Sequence, residues 1–301
     1  MLHLLLILGS LMVAIGLRGW WGSAIKSQTW QRRWNRAWVS FALPPLLLLS
    51  SAIALLWMGP LCHMLHHVRA QGWTGFLGYD SALVYLSGLL FVALQLMSDS
   101  QTSLGRLAQY TQITLTPDAA SPTPARLLPT ATPFIAQVGW WRSQLVVSQG
   151  LLDRLTPPQL AAVLQHEAAH THYQDTRWFA ALGILRRCSH WLPQSEALWQ
   201  ELLFLRELRA DRWAAQSVDP LLLAEALFSV ASAPLDTVMP KFAVGFHEAC
   251  LGDRLTERVE ALLAVNVTDP DANASTSKGF SIVIFLTFAI ALLPLLSLVW
   301  H

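Results

Sequence analysis

The sequence predicts a mainly α integral membrane protein, with four transmembrane helices and a cytoplasmic α+β domain inserted between the third and the fourth. Composition points to the membrane first. Of 301 residues, 53% are apolar and only 13% charged, with a mean hydropathy of +0.41, whereas soluble domains carry about 25% charged residues. Four stretches without Asp, Glu, Lys or Arg are the second observation: 1–17, 37–68, 81–98 and 279–301. Each can hold a transmembrane helix. The third observation is contrast, because residues 99–278 return to ordinary charge density with turn and linker punctuation of their own.

The first apolar stretch has no basic residue before it and no small-residue cleavage site after it, so it reads as a retained helix rather than a signal peptide. In the second, Pro44 and Pro45 are tolerable in a helix N-terminal turn or as a kink, which puts the span at about Phe41 to Leu61. The third span lies within 81–98 and the fourth is Phe280 to Trp300. The three-helix membrane region thus occupies 1–98, and the fourth helix 279–301.

Orientation follows from basic residues. The loop 18–40 carries Arg18, Lys26, Arg32, Arg33 and Arg36 without an acid, while 61–80 offers only Arg69, so the first loop is expected in the cytoplasm and both termini outside. Trp30, Trp34 and Trp38 recur at fourfold spacing among these arginines, which suits a helix lying in the membrane interface, with Trp20, Trp21 and Trp300 in the same belt. The bacterial cytoplasmic membrane is the expected location, with lipid as a partner.

Net charge is +1, so no basic field argues for nucleic acid. Cys62, Cys188 and Cys250 lie far apart, which excludes a disulfide framework and a thiolate zinc site of the usual spacing. His63, His66 and His67 form a cluster on the outer side, without a nearby acid or thiol, and read as interfacial histidines rather than a second metal site.

Residues 99–132 read as a linker, extended over the Thr-, Pro- and Ala-rich part 111–133, and 268–278 as a second connector. Between them, 133–267 is the compact domain. Phe134–Val138 and Gln144–Ser148 read as a hairpin around Gly139-Trp140-Trp141-Arg142. Thr156-Pro157-Pro158-Gln159 starts a helix with a capping box and runs into 160–173.

That helix contains His166-Glu167-Ala168-Ala169-His170. The i, i+4 spacing puts both imidazoles on one face, able to share a metal, with Glu167 set aside toward a water in an open coordination position. Zinc suits two neutral imidazoles and a carboxylate, and brings the pKa of such a water to about 7. Glu167 is then the candidate general base, taking a proton and returning it to a leaving amine. The competing reading, two surface histidines on an amphipathic helix, is weakened by the small Ala168 and Ala169 and by the burying residues Leu160, Val163 and Leu164.

A third ligand is expected from a second helix. Glu207 is the best candidate, with Glu201 and Glu196 as rivals, and Asp211 sits one turn beyond Glu207, placed to accept the other N–H of a metal-bound histidine. Asp175 closes the first helix and either holds it in place or is a plain turn residue; His172 points off the metal face.

HEAAHTHYQD, then ELRAD, then DRLTERVEALL at 253–263 resemble the membrane gluzincin metallopeptidases, the BlaR/MecR-type antibiotic sensor-transducers and the related Ste24/HtpX proteases. The resemblance covers about 133–265, and three spans before the domain with one after match the BlaR arrangement better than the two-and-two of HtpX. It implies one Zn2+ per chain held by His166, His170 and Glu207, with Glu167 as general base and Asp211 orienting a ligand. It also implies that Arg258 closes on the active site, against an ordinary helix-face arginine paired with Glu257 or Glu260. The penicillin-binding sensor domain of that type has no counterpart before His301, so direct β-lactam sensing is not expected.

The expected activity is hydrolysis of peptide bonds in a protein substrate at the cytoplasmic face, with a BlaI-like repressor as the substrate by analogy and signal transduction as the role. The alternative is a catalytically silent zinc-containing scaffold, against which the intact Glu167 speaks. A transporter finds no support, since no span carries a charge.

Overall fold

The computed structural model describes residues 2–19, 30–58, 72–116, 122–141, 143–231, 253–264 and 283–296. The chain divides into two units, one of Met1–Gln95, Ala181–Leu202 and Pro270–His301, the other of Leu96–Ala180 and Leu203–Asp269. Helix dominates both.

In the first unit, α1 (Leu2–Gly19) packs along α2 (Trp30–Met58), and Ser10 and Ser51 share a hydrogen bond of 2.8 Å between them. Pro44 and Pro45 lie inside α2 rather than at its start, because the helix begins at Trp30. Each proline lacks the N–H that would bond the carbonyl four residues earlier. Phe41 is that residue for Pro45, and Arg18 donates to its carbonyl oxygen at 3.1 Å through one guanidinium nitrogen, while another reaches Ser195 Oγ at 3.1 Å. A buried arginine thus satisfies an acceptor that proline frees.

The expected interfacial helix is therefore the first part of α2, where Trp30 is half-buried and the other two rings are packed inside the protein. Trp34 and Trp38 are 1% and 2% exposed. The long helix wins because its apolar stripe continues through Phe41, Leu43 and Leu47.

Among the described residues two helices are long and apolar enough to cross a membrane, Trp30–Trp57 and Gly78–Leu107. In the segments expected as first and fourth spans the apolar helical stretches are Leu8–Gly19, the latter part of α1, and Val283–Leu295. Helix α3 (Gly72–Leu107) presents Leu83, Val84, Leu90, Phe91 and Leu94 as exposed side chains. Trp20, Trp21, Trp300, the cluster His63, His66 and His67, and the connector 268–278 lie outside the described residues.

The second unit is built on a four-stranded sheet in the order β1-β2-β4-β3. Strands β1 (Gln112–Leu115) and β2 (Thr123–Leu128) are antiparallel, β2 and β4 (Gln144–Ser148) are parallel, and β3 (Ile135–Val138) is antiparallel to β4 with Ala136 opposite Val146. The β3–β4 hairpin lies where its alternating apolar residues place it. Gly139, at φ 115, takes the left-handed conformation that its turn requires.

Where it is described, the stretch read as a linker, 99–132, carries helix and strands instead. Its start is the end of α3, and its Thr- and Pro-rich part supplies β1 and β2. The chain is extended there, but its polar backbone groups pair across the sheet, as where Leu127 N donates to Thr111 O at 2.9 Å.

Strand alternation sorts the sheet's side chains. Leu115, Ala125, Ile135, Leu145 and Val147 face one side, against α4 (Gln149–Arg154) and α5 (Pro157–His172). Leu128, Ala136, Val138 and Val146 face the other, against Leu104 and Leu107 of α3. Gly150, at the start of α4, is obligatory by close approach, since a Cβ there would sit 1.8 Å from the Ala131 carbonyl oxygen.

Helix α5 starts as its capping box directs, with Thr156 N donating to Gln159 Oε1 at 3.1 Å. Its far side carries Ala162, which packs with Ala214 of α7 (Ser195–Ala214), Leu223 of α8 (Pro220–Ala231) and Leu262 of α9 (Asp253–Ala264). Sheet and helices thus bury α5 from both sides. Helix α6 (Asp175–Cys188) follows a two-residue turn in which Gln174 holds φ 55, a value costly for a residue with a Cβ.

Candidate metal centre

Helical spacing brings His166 and His170 together on the buried side of α5, where their Nε2 atoms are 3.1 Å apart and the rings 4.8 Å apart. Glu207 of α7 completes the group. Its Oε2 lies 3.3 Å from His166 Nε2 and its Oε1 3.8 Å from His170 Nε2, and all three side chains are buried. Two nitrogens bound tetrahedrally to zinc at about 2.05 Å stand about 3.3 Å apart, so the two histidines have the spacing such an ion needs, and the whole donor set lies within 4.8 Å.

The outer nitrogens face carboxylates. His170 Nδ1 is hydrogen-bonded to Asp175 Oδ2 at 2.7 Å, and His166 Nδ1 lies at ion-pair distance, 2.9 Å, from Asp211 Oδ1 without the geometry of a hydrogen bond. With a metal bound, a carboxylate beside each Nδ1 would keep a proton there and leave each Nε2 lone pair to the ion. The tight turn at Gln174 and the start of α6 are what bring Asp175 back onto the helix it follows.

Around these sits a ring of arginines. Arg206 grips Glu207 Oε1 with Nε at 2.9 Å and Nη2 at 2.6 Å, leaving Oε2 turned toward His166. Arg258 is bidentate on Asp211, with Nε to Oδ2 at 2.7 Å and Nη2 to Oδ1 at 2.8 Å, and Nη1 is 3.7 Å from Glu207 Oε2. Arg209 donates to Asp175 Oδ1 and stacks over the Tyr173 ring at 4.1 Å.

The electrostatics are those of a cation site. Burial opposes ionisation of all three acids, yet Arg206 and the histidines hold Glu207 well below the usual carboxylate range. Arg258 lowers Asp211, and His170 and Arg209 lower Asp175. Burial likewise opposes the imidazolium form, but Glu207 and Asp175 push His170 up to about 10, and Asp211 and Glu207 raise His166. Without a metal, protons supply the positive charge that three carboxylates demand.

Glu167 is buried, and its Oε2 has no hydrogen-bond partner. The Glu167 side chain also helps to line a cavity of about 410 Å³, together with Leu164, Ala168, Thr171 and Trp213. An orphaned buried carboxylate oxygen is arranged for a partner that comes from outside the chain.

Of the seven residues singled out in the sequence, Glu167 stands next to His166 in the chain with its side chain in the cavity wall, and the other six, His166, His170, Glu207, Asp211, Asp175 and Arg258, are therefore linked in one cluster. The rivals do not belong to it: Glu201 pairs with Arg33 at 2.8 Å, and Glu196 with Arg186 at 2.7 Å. His172 stacks on Trp213 with centroids 5.7 Å apart. Arg258 bonds Asp211, 47 residues away in sequence, where sequence alone also allowed Glu257 or Glu260. Arg206 and Arg209 were missed. Their signal was present, in charged residues alternating with Leu205, Leu208 and Ala210 on a helix too apolar to be solvated.

No curated protein and no solved structure matches the chain. Residues 134–237, about a third of the chain, match the model of Peptidase family M48. The matched segment holds both histidines, Glu167 and Glu207, and it supports membership of the M48 metallopeptidase family.

Proposed function

We propose that the protein is a zinc endopeptidase that hydrolyses peptide bonds of a protein substrate, with Glu167 as its general base. The observation that carries this reading is the convergence of His166, His170 and Glu207 in one buried group, with an unpartnered Glu167 Oε2 on the same helix as the two histidines.

His166, His170 and Glu207 would hold the metal, which when bound would supply a Lewis acid able to polarise a carbonyl oxygen and make water nucleophilic near neutral pH. Glu167 accepts the proton of the attacking water and hands it to the departing amine. Asp175 and Asp211 hold the two imidazoles in orientation, Arg258 anchors Asp211, and Arg206 selects the Glu207 oxygen that faces the histidines. Strand β3 is the end strand of the sheet, so an extended substrate can pair with its open edge. A zinc-holding scaffold without catalysis is not favoured, since a purely structural site has no use for Glu167.

The wider reading is that of a membrane-anchored regulatory protease of the BlaR/MecR kind, its catalytic domain in the cytoplasm, its termini outside and a BlaI-like repressor as substrate. Support comes from the charge asymmetry of the loops, the apolar helices Trp30–Trp57 and Gly78–Leu107, and the motif resemblance.

The deciding experiment compares wild type with Glu167→Gln in nanodiscs, measuring zinc per chain and cleavage of an unfolded protein by mass spectrometry. Both proteins should bind one zinc, and only wild type should cut. Cleavage by the variant at the wild-type rate removes Glu167 from the mechanism.

A further inference from the structure

Arg206 serves Glu207 and Arg258 serves Asp211, but Arg209 is placed differently, because it reaches three helices at once. Its backbone lies two residues beyond Glu207 on α7. Its Nη2 donates to Asp175 Oδ1 at the start of α6, and its guanidinium stands 4.1 Å from the ring centroid of Tyr173, the C-cap of α5. Each of these helices holds or orients a side chain of the metal centre. The two oxygens of Asp175 are also divided cleanly, Oδ2 to His170 Nδ1 at 2.7 Å and Oδ1 to Arg209. Asp211 is not divided in this way, since Arg258 bonds both of its oxygens and its contact with His166 Nδ1 lacks the geometry of a hydrogen bond.

We propose that Arg209 is a positioning residue of the metal centre: by holding Asp175 Oδ1 it fixes the direction from which Oδ2 holds His170, and so sets the affinity of the site for its metal. The inference rests on the reading of His166, His170 and Glu207 as metal ligands and adds a residue that acts through another. Torsional freedom is the first argument. The last torsion of an aspartate is broad and roughly two-fold, so a carboxylate held by one oxygen can swing, whereas one held by both cannot. Burial is the second, because Asp175 is only 3% exposed and its second oxygen, without Arg209, would face the cost of a buried acceptor that lacks a donor. The third argument is the turn that delivers Asp175. Gln174 holds φ 55 there, a conformation costly for a residue with a Cβ, and Arg209 grips the residue on either side of it, Tyr173 by stacking and Asp175 by hydrogen bonding. A planar guanidinium does both at once, lying flat on a ring while donating in its own plane, and a lysine ammonium does not.

The test is a mutant cycle read by metal affinity, on full-length protein in nanodiscs, stripped with EDTA and titrated with zinc against a chelator. Arg209→Gln should weaken zinc binding about tenfold or more, and Arg209→Lys, which keeps the charge and loses the planar fork, should fall between it and wild type. A defect of packing alone would not depend on Asp175. In Asp175→Asn the amide has one acceptor oxygen, which cannot serve both Arg209 and His170. Adding Arg209→Gln to that variant should therefore weaken binding by less than about twofold, while in Asp211→Asn it should keep its full factor. Arg209→Lys guards against a folding defect of the glutamine variant, since its smaller loss must likewise vanish in Asp175→Asn. Cobalt loaded in place of zinc reports the ligands directly, and the visible bands of Arg209→Gln should be displaced from those of wild type and match those of Asp175→Asn. Zinc affinity equal to wild type, or a loss of the same size with and without the Asp175 carboxylate, overturns the role of Arg209 and leaves the metal site intact. Failure of wild type itself to bind zinc overturns both.

Discussion

Replacing Arg206 by Met separates the charge balance of the metal-free site from that of the loaded one. Arg206 and Glu207 are a buried pair, 9% and 7% exposed, joined at 2.6 Å. Removing one partner of such a pair leaves an uncompensated buried charge and costs about 3–5 kcal/mol. Methionine retains an unbranched apolar stem, so the loss comes mainly from the charge. In the zinc-loaded protein the dication itself neutralises Glu207, and what remains to lose is chiefly the stacking of the guanidinium over Phe179 at 4.9 Å, worth about 0.5–2 kcal/mol. The assay is guanidinium denaturation in detergent, followed by tryptophan fluorescence, on EDTA-treated and zinc-saturated protein. The variant should be destabilised by several kcal/mol without zinc and by clearly less with it. Equal losses in the two states, or a metal-free loss below about 1 kcal/mol, refute the argument that Arg206 is the principal counter-charge of Glu207.

Asp211→Asn and Asp175→Asn each remove a carboxylate that orients a histidine, and each should weaken zinc binding by about 10- to 100-fold in chelator competition, with the ligands still in place. The metal-free protein should lose stability as pH rises from about 6.5 through about 10, because the His170 pKa is raised in the folded state and its contribution is fully present only below the unfolded value. The depressed acids Glu207, Asp211 and Asp175 act at the other end, their contribution being lost as pH falls below about 4. A denaturation midpoint in EDTA that climbs between pH 7 and 10 contradicts this balance. Gly150→Ala places a Cβ 1.8 Å from the Ala131 carbonyl oxygen, and because the obstacle is backbone the destabilisation should reach or exceed about 1–3 kcal/mol, measured in the same denaturation assay.

The sequence by itself determined whatever depends on near neighbours in the chain. Helical periodicity alone puts His166, Glu167 and His170 in register, since one turn of backbone links them, and Thr156 and Gln159 start their helix by contacts three residues apart. The hairpin Ile135–Ser148 was equally legible, because alternation and a glycine turn specify it locally. Distant contacts were decided only by the tertiary structure. The Thr- and Pro-rich segment at 111–133 has weak strand signals of its own, and β2 within it forms because it finds a parallel partner in β4. The burial of Trp34 and Trp38 depends on where α2 starts and what packs on it, which the spacing of aromatic residues does not encode. Glu207 was distinguishable from Glu201 by motif, but the physical difference between them is which arginine each one meets, Arg206 or Arg33. Likewise Arg258 had two carboxylates beside it in sequence and bonds a third, because folding brings α9 within reach of Asp211. A carboxylate's identity as ligand, orienter or surface charge is set by the charges around it after the chain is packed, and those charges come from helices far apart in sequence.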